Sequence, residues 1–258
     1  MRPTLLRRAA AEFLGTLLLL ATVVGSGIMA ERLAAGNTAL ALLANTLATG
    51  AALIALILAF GPISGAHLNP AVTLADALLG GIPWRETPAY LAAQLTGAFA
   101  GVATAHLMFG LPIFAASTHI RNGPAQAFSE FVATFGLLAV ILLVARARPT
   151  ATPFAVGAYI TAAYWFTAST SFANPAVTLA RAATNSFSGI RPADVPAFIA
   201  AQLAGALAAT LLFRWLHPVE NLSSPKSRPT LVSLHSRPLI VENSLLVRYL
   251  PSCTIESS

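Results

Sequence analysis

Two asparagines, Asn69 and Asn174, each stand directly before Pro-Ala, and the string NPAVTLA occupies both 69–75 and 174–180. Asparagine ahead of proline is a helix start. The amide caps the first turn, and proline fits the first helical position, where its missing N–H costs nothing. A helix N-terminus carries roughly half a positive charge. Two such ends facing each other repel cations and leave two side-chain N–H₂ donors in the space between them. The chemistry this allows is brief binding of a neutral, lone-pair-bearing molecule, with no bond made or broken. No catalytic set, cofactor motif or metal-ligand spacing is visible. The single cysteine, Cys253, lies in a polar tail, and the five histidines form no paired spacing.

The loops that feed the two starts run over Gly65, Ala66, His67 and Leu68, and over Thr170, Ser171, Phe172 and Ala173. They cannot be helical if Pro70 and Pro175 begin helices, so their carbonyls are predicted to face the inner space. Irregular backbone at membrane depth is tolerated only where it lines water or is buried in protein. Glu12 and Glu130 sit inside apolar runs, in the matched strings Ala11-Glu12-Phe13 and Ser129-Glu130-Phe131. An intramembrane carboxylate is costly and usually functional. A proton relay is one reading. The matched positions favour the other, in which each carboxylate accepts hydrogen bonds from the loop backbone of its own half.

The elements that must position these residues are membrane spans. The chain is 56% hydrophobic and 9% charged over 258 residues, against about 25% charged in a soluble domain. The net charge of +6 sits at the ends of apolar runs, which suits membrane topology and excludes nucleic acid as a partner. Six runs of spanning length fall at about 11–30, 38–60, 88–109, 127–145, 152–169 and 193–215, with short half-helices at about 69–79 and 174–185. The first run resembles a signal peptide, but a second span follows at once.

The repeat reaches beyond the motif: Ala93-Gln94-Leu95 matches Ala201-Gln202-Leu203. The halves, about 8–110 and 126–216, hold three spans each and therefore enter the bilayer in opposite senses. The fold class is an all-α membrane protein with six transmembrane helices and two re-entrant half-helices in an inverted 3+3 repeat. With the amino terminus inside, eleven of the fifteen Lys and Arg residues lie on the cytoplasmic side. Residues 217–258 read as a disordered cytoplasmic tail. Gly97, Gly101, Gly205 and Ala209 read as small-residue helix contacts. Tyr164, Trp165 and Phe166 read as packing or interface aromatics.

The paired Asn69-Pro70-Ala71 and Asn174-Pro175-Ala176, with the SGAHLNPAVT context and Glu12 and Glu130, resemble the aquaporin (major intrinsic protein) family over about residues 8–216. The resemblance implies a pore in each subunit of a homotetramer, in a cell (inner) membrane, with small neutral solutes as cargo and His67 lining the cytoplasmic vestibule. It also exposes a departure. Most members have an arginine directly after the second Asn-Pro-Ala; here Val177 stands there. By family spacing the remaining selectivity-filter positions fall at Thr49, Ala162 and Ser171, a set without an aromatic ring or a guanidinium. A wide, weakly polar mouth follows, similar to bacterial aquaglyceroporin-like proteins associated with arsenic resistance, which pass arsenite or organic arsenicals. The expected function is a passive channel for small uncharged solutes, glycerol or arsenicals with some water. The alternatives are a water-selective aquaporin, a coupled transporter and a non-conducting scaffold. Arg181, one turn beyond Val177, reads as a headgroup-facing residue; the other reading is a displaced positive charge at the mouth. Asp76 is its repeat mate on the cytoplasmic side.

Overall fold

The computed structural model describes residues 3–216; the expected 217–258 tail lies outside the described residues. Eight α-helices follow one another: α1 (Leu5–Leu33), α2 (Thr38–Ser64), α3 (Pro70–Leu78), α4 (Thr87–Met108), α5 (Pro124–Ala147), α6 (Thr152–Phe166), α7 (Pro175–Arg181) and α8 (Val195–Leu216). Their starts carry the expected chemistry. Thr4, Asn37, Asn69 and Asn174 each cap a helix through the side chain, and proline stands in the first turn of every helix from α3 to α8, Pro196 in α8, with Pro192 opening the 3₁₀ turn before it.

Among the described residues, five helices are long and apolar enough to cross a membrane. The sixth long one, α6, has 15 residues, about 22 Å at 1.5 Å per residue, and is preceded by a 3₁₀ turn, Pro149–Ala151. It stops at Phe166, short of the expected 169, because Thr167 is already extended. The second half-helix also stops early. Ala182 and Ala183 give their carbonyls to the N–H groups of Ser117 and Ala115 in the loop after α4 (3.0 and 2.9 Å), so the chain beyond Arg181 becomes the partner of that loop.

Repeat mates pack alike. α4 lies on α1 and α8 on α5. A Cβ added at Gly97 would collide with the Phe13 carbonyl, and one at Gly205 with the Phe131 carbonyl. The absent side chains set these helix distances, as small residues do in membranes. The half-helices then cross over. Ala176, Val177 and Ala180 of α7 pack in the core formed by α1, α2 and α4. Ala71, Val72 and Ala75 of α3 pack in the core formed by α5, α6 and α8. Each half thus completes the other's core. Leucines such as Leu40, Leu47, Leu207 and Leu211 remain exposed on the outer faces, where lipid is the natural solvent.

Candidate functional site

The two asparagines are tied into the centre of the molecule. Asn69 Oδ1 accepts from Ala71 N–H (2.9 Å), and its Nδ2 donates to the Ala173 carbonyl (2.8 Å). Asn174 Oδ1 accepts from Ala176 and Val177 N–H (3.0 and 3.3 Å), and its Nδ2 donates to the Leu68 carbonyl (2.8 Å). Each side chain therefore caps its own half-helix and clasps the other half's loop. One amide hydrogen is used in the clasp. The second is left for the cavity of about 230 Å³ that both asparagines line.

The feeding loops are bent by paired left-handed residues: Ala66 and Leu68 at φ 48° and 49°, Ser171 and Ala173 at 50° and 49°. Such φ values cost a non-glycine residue about 1–2 kcal/mol, so something must hold them. Glu12 accepts from His67 N–H (3.0 Å), Leu68 N–H (2.7 Å), the Ser64 hydroxyl (2.6 Å) and Gln94 Nε2 (2.8 Å). Glu130 accepts from Phe172 N–H (2.8 Å), Ala173 N–H (2.9 Å) and Gln202 Nε2 (2.6 Å). Both carboxylates are fully buried, and their oxygens are engaged by donors of their own half. Each carboxylate thus binds the left-handed loop backbone of its own half. Gln94 and Gln202 also donate to Thr73 and Thr178 (2.9 and 2.7 Å), whose hydroxyls donate to the Asn69 and Asn174 carbonyls (3.1 and 2.9 Å). The matched Ala-Gln-Leu strings were the signal for these glutamines, but no role could be read from them alone.

Of the residues expected to face the pore, Gly65, Ala66, His67, Leu68, Asn69, Phe172, Ala173 and Asn174 line the cavity. Thr170 does not; its hydroxyl accepts from Arg121 Nη1 (3.4 Å). Pro70, Ala71, Pro175 and Ala176 are buried behind the asparagines. His67 Nδ1 lies 3.1 Å from the Thr73 hydroxyl, and its Nε2 lies 3.6 Å from Asp76, which also lines the cavity.

At the other end, Thr49, Ser171 and Val177 line the cavity together. Ala162 is corrected: it is exposed on the outer face of α6. Tyr164 lines the cavity on this side, with its hydroxyl donating to Thr49 Oγ1 (3.3 Å). An aromatic ring is therefore present. Arg181 is corrected as well. It does not face headgroups: it is 2% exposed and lines the cavity. Its Nε donates to the Ser188 carbonyl, and its guanidinium carbon lies 3.4 Å from the centre of the Phe172 ring. Arg121 approaches the same ring at 5.1 Å. Its donors go to the carbonyls of Gly189 (2.8 Å), Ser169 (3.3 Å) and Phe187 (3.5 Å). Burial holds the Arg121 guanidinium below its ordinary pKa, against the pull of Glu130 and Tyr164. The remaining wall is apolar, with Leu19, Val23, Ile57, Leu137, Val156 and Ile160 among its members.

A cavity lined from both ends by half-helices, inside an inverted bundle of apolar helices, defines a membrane channel of the aquaporin fold. The chain belongs to the major intrinsic protein family, whose profile, described as "Major intrinsic protein", matches residues 1–163 and 147–242. It is 58% identical over 229 residues to "Aquaglyceroporin AqpS" of Rhizobium meliloti (strain 1021), covering 87% of this chain and 98% of that protein. It is 32% identical over 232 residues to "Aquaporin NIP6-1" of Arabidopsis thaliana, covering 87% and 73%. Among solved structures it is similar to the aquaglyceroporin from Plasmodium falciparum, with a TM-score of 0.63 and 25% identity over 84% of this chain and 97% of that one.

Proposed function

We propose that the chain is a passive, aquaglyceroporin-like channel that passes small uncharged solutes, glycerol and arsenite or organic arsenicals among them, with some water. The observation that carries this is the cavity between Asn69 and Asn174. Each asparagine offers a donor into it, while the two helix N-termini oppose a cation. A solute sliding past meets hydrogen-bond partners along one side, at Thr49, Tyr164, Ser171 and the asparagines, and aliphatic side chains along the other. That wall suits molecules with both hydroxyl groups and an apolar face. Val177, smaller than an arginine, supports room for them at the outer layer. The 58% identical relative carries the name aquaglyceroporin, which supports the same choice; the arsenic assignment rests on the sequence resemblance. The channel works as a homotetramer in the cell (inner) membrane with both termini in the cytoplasm.

A second reading, a water-selective pore, draws support from Tyr164 and Arg181, because an aromatic ring and a guanidinium do line the cavity. Stopped-flow light scattering on proteoliposomes separates the two, with water, glycerol and arsenite measured at neutral pH. Glycerol and arsenite influx well above that of empty liposomes is the expected result. Water flux alone would select the second reading, and no flux of any solute would sink both.

A further inference from the structure

We propose that Arg181 is a second charge barrier of this pore, outside the half-helix N-termini, and that this outer charge layer is separate from the layer that sets size. The inference rests on the channel reading above. The size layer is Thr49, Tyr164, Ser171 and Val177, which line the cavity together and contain no ionisable group other than the Tyr164 phenol. Arg181 stands four residues after Val177 on α7, hence on the same helix face and about 6 Å further from the asparagines. It lines the same cavity.

Three features make Arg181 a fixed charge rather than a passing one. Its side chain is buried and held at two points, by the Ser188 carbonyl and by the face of Phe172. No carboxylate forms an ion pair with it: among the described residues Arg8 pairs with Glu86 and Arg191 with Asp194. Two charges act on it through space with opposite sign, Arg121 on the same aromatic ring and the Glu130 carboxylate. Glu130 is already occupied by loop N–H groups and Gln202.

A fixed positive charge in a low-dielectric wall raises the energy of a passing cation steeply and leaves a neutral solute unaffected. Val177, in contrast, has volume but no charge. Changing one layer should therefore leave the other's selectivity in place. At the opposite end the repeat mate is Asp76, a carboxylate on the same cavity. The single divergence at the end of the repeated string thus gives the two ends of the cavity opposite sign.

The test uses the full chain in liposomes and two probes of nearly equal shape, neutral urea and the guanidinium ion. Wild type should pass urea and hold guanidinium at the level of empty liposomes. Arg181→Gln should raise the ratio of guanidinium to urea influx about tenfold or more, and Arg181→Lys should restore the wild-type ratio. Val177→Leu should slow urea and keep guanidinium out. The proposal is overturned by guanidinium influx through wild type, or by an Arg181→Gln variant with normal urea flux and no guanidinium influx. It is equally overturned if urea flux is lost in both Arg181 variants, which makes the residue a structural brace. Absence of any neutral flux in wild type would instead defeat the channel reading itself.

Discussion

Val177 occupies the first turn of α7 beside Asn174, with its N–H on the asparagine oxygen (3.3 Å) and 5% of its surface exposed. Placing an arginine there adds about four heavy atoms to a layer already holding Tyr164 and Thr49. It also puts a second guanidinium one turn from Arg181, so the new side chain is repelled from the wall Arg181 occupies and driven inward across the lumen. A narrow opening passes water and obstructs larger molecules. Val177→Arg should therefore lower glycerol flux about tenfold while lowering water flux less than about twofold, read by stopped-flow scattering on the same vesicles. Equal loss of both fluxes would mean that position 177 does not set the width. Such reasoning was partly available from the sequence, because positions 171 and 177 are counted along short, direct stretches from Asn174. Position 162 was not. The count back to it crosses the 167–173 loop, and on a helix a two-residue error turns a side chain by about 200°, from Tyr164 in the cavity to Ala162 on the outer face.

At the scale of elements, the repeat made the helices legible before any coordinates. The same Asn-Pro start, the same glutamate and the same glutamine recur, and α1 packs on α4 as α5 packs on α8. What stayed hidden was which partner each element covers. Arg181 looked like an interfacial residue because nothing in the string NPAVTLAR says that the loops at 109–123 and 182–191 close over its end. The crossing of α3 and α7 into the opposite cores was equally silent, since the two copies have one composition. The glycine contacts were legible and carry a prediction. Gly97 and Gly205 meet backbone carbonyls that cannot rotate away, so Gly97→Val or Gly205→Val forces α4 off α1 or α8 off α5. Overpacking of this kind costs about 1–3 kcal/mol or more. Gly61, in α2, has no atom beyond its chain neighbours within 4 Å of an added Cβ, and Gly61→Ala should change stability by less than about 1 kcal/mol, the gain in helix propensity being set against crowding by Pro62. Thermal aggregation of the detergent-purified protein checks the contrast: a lower midpoint for both valine variants, a nearly unchanged one for Gly61→Ala. Equal midpoints would show that the close approach of α4 to α1 and of α8 to α5 is not limiting.

For the whole molecule, the question that links charge to physiology is which mouth faces the cytoplasm. In the topology proposed above both termini lie in the cytoplasm; an even number of spans and the Arg-rich ends of α1, α5 and α8 support it. The ion pair of Arg8 with Glu86 (2.8 Å) belongs to the same face, since Glu86 precedes α4 and Arg8 opens α1. With that orientation Asp76 and His67 guard the cytoplasmic mouth and Arg181 the external one, so a cation arriving from outside meets the fixed positive charge before it reaches the asparagines. The chain carries its own reporter: Cys253 is the one cysteine of the sequence and lies beyond the last span. A membrane-impermeant maleimide should label it in inside-out vesicles and leave it unlabelled in intact cells, with a Cys253→Ser variant as the blank. Labelling of intact cells would reverse the topology. The guanidinium of Arg181 would then face the cytoplasm, and the barrier it raises would oppose cation efflux first, because the sign of the charge stays while the side from which it is met changes.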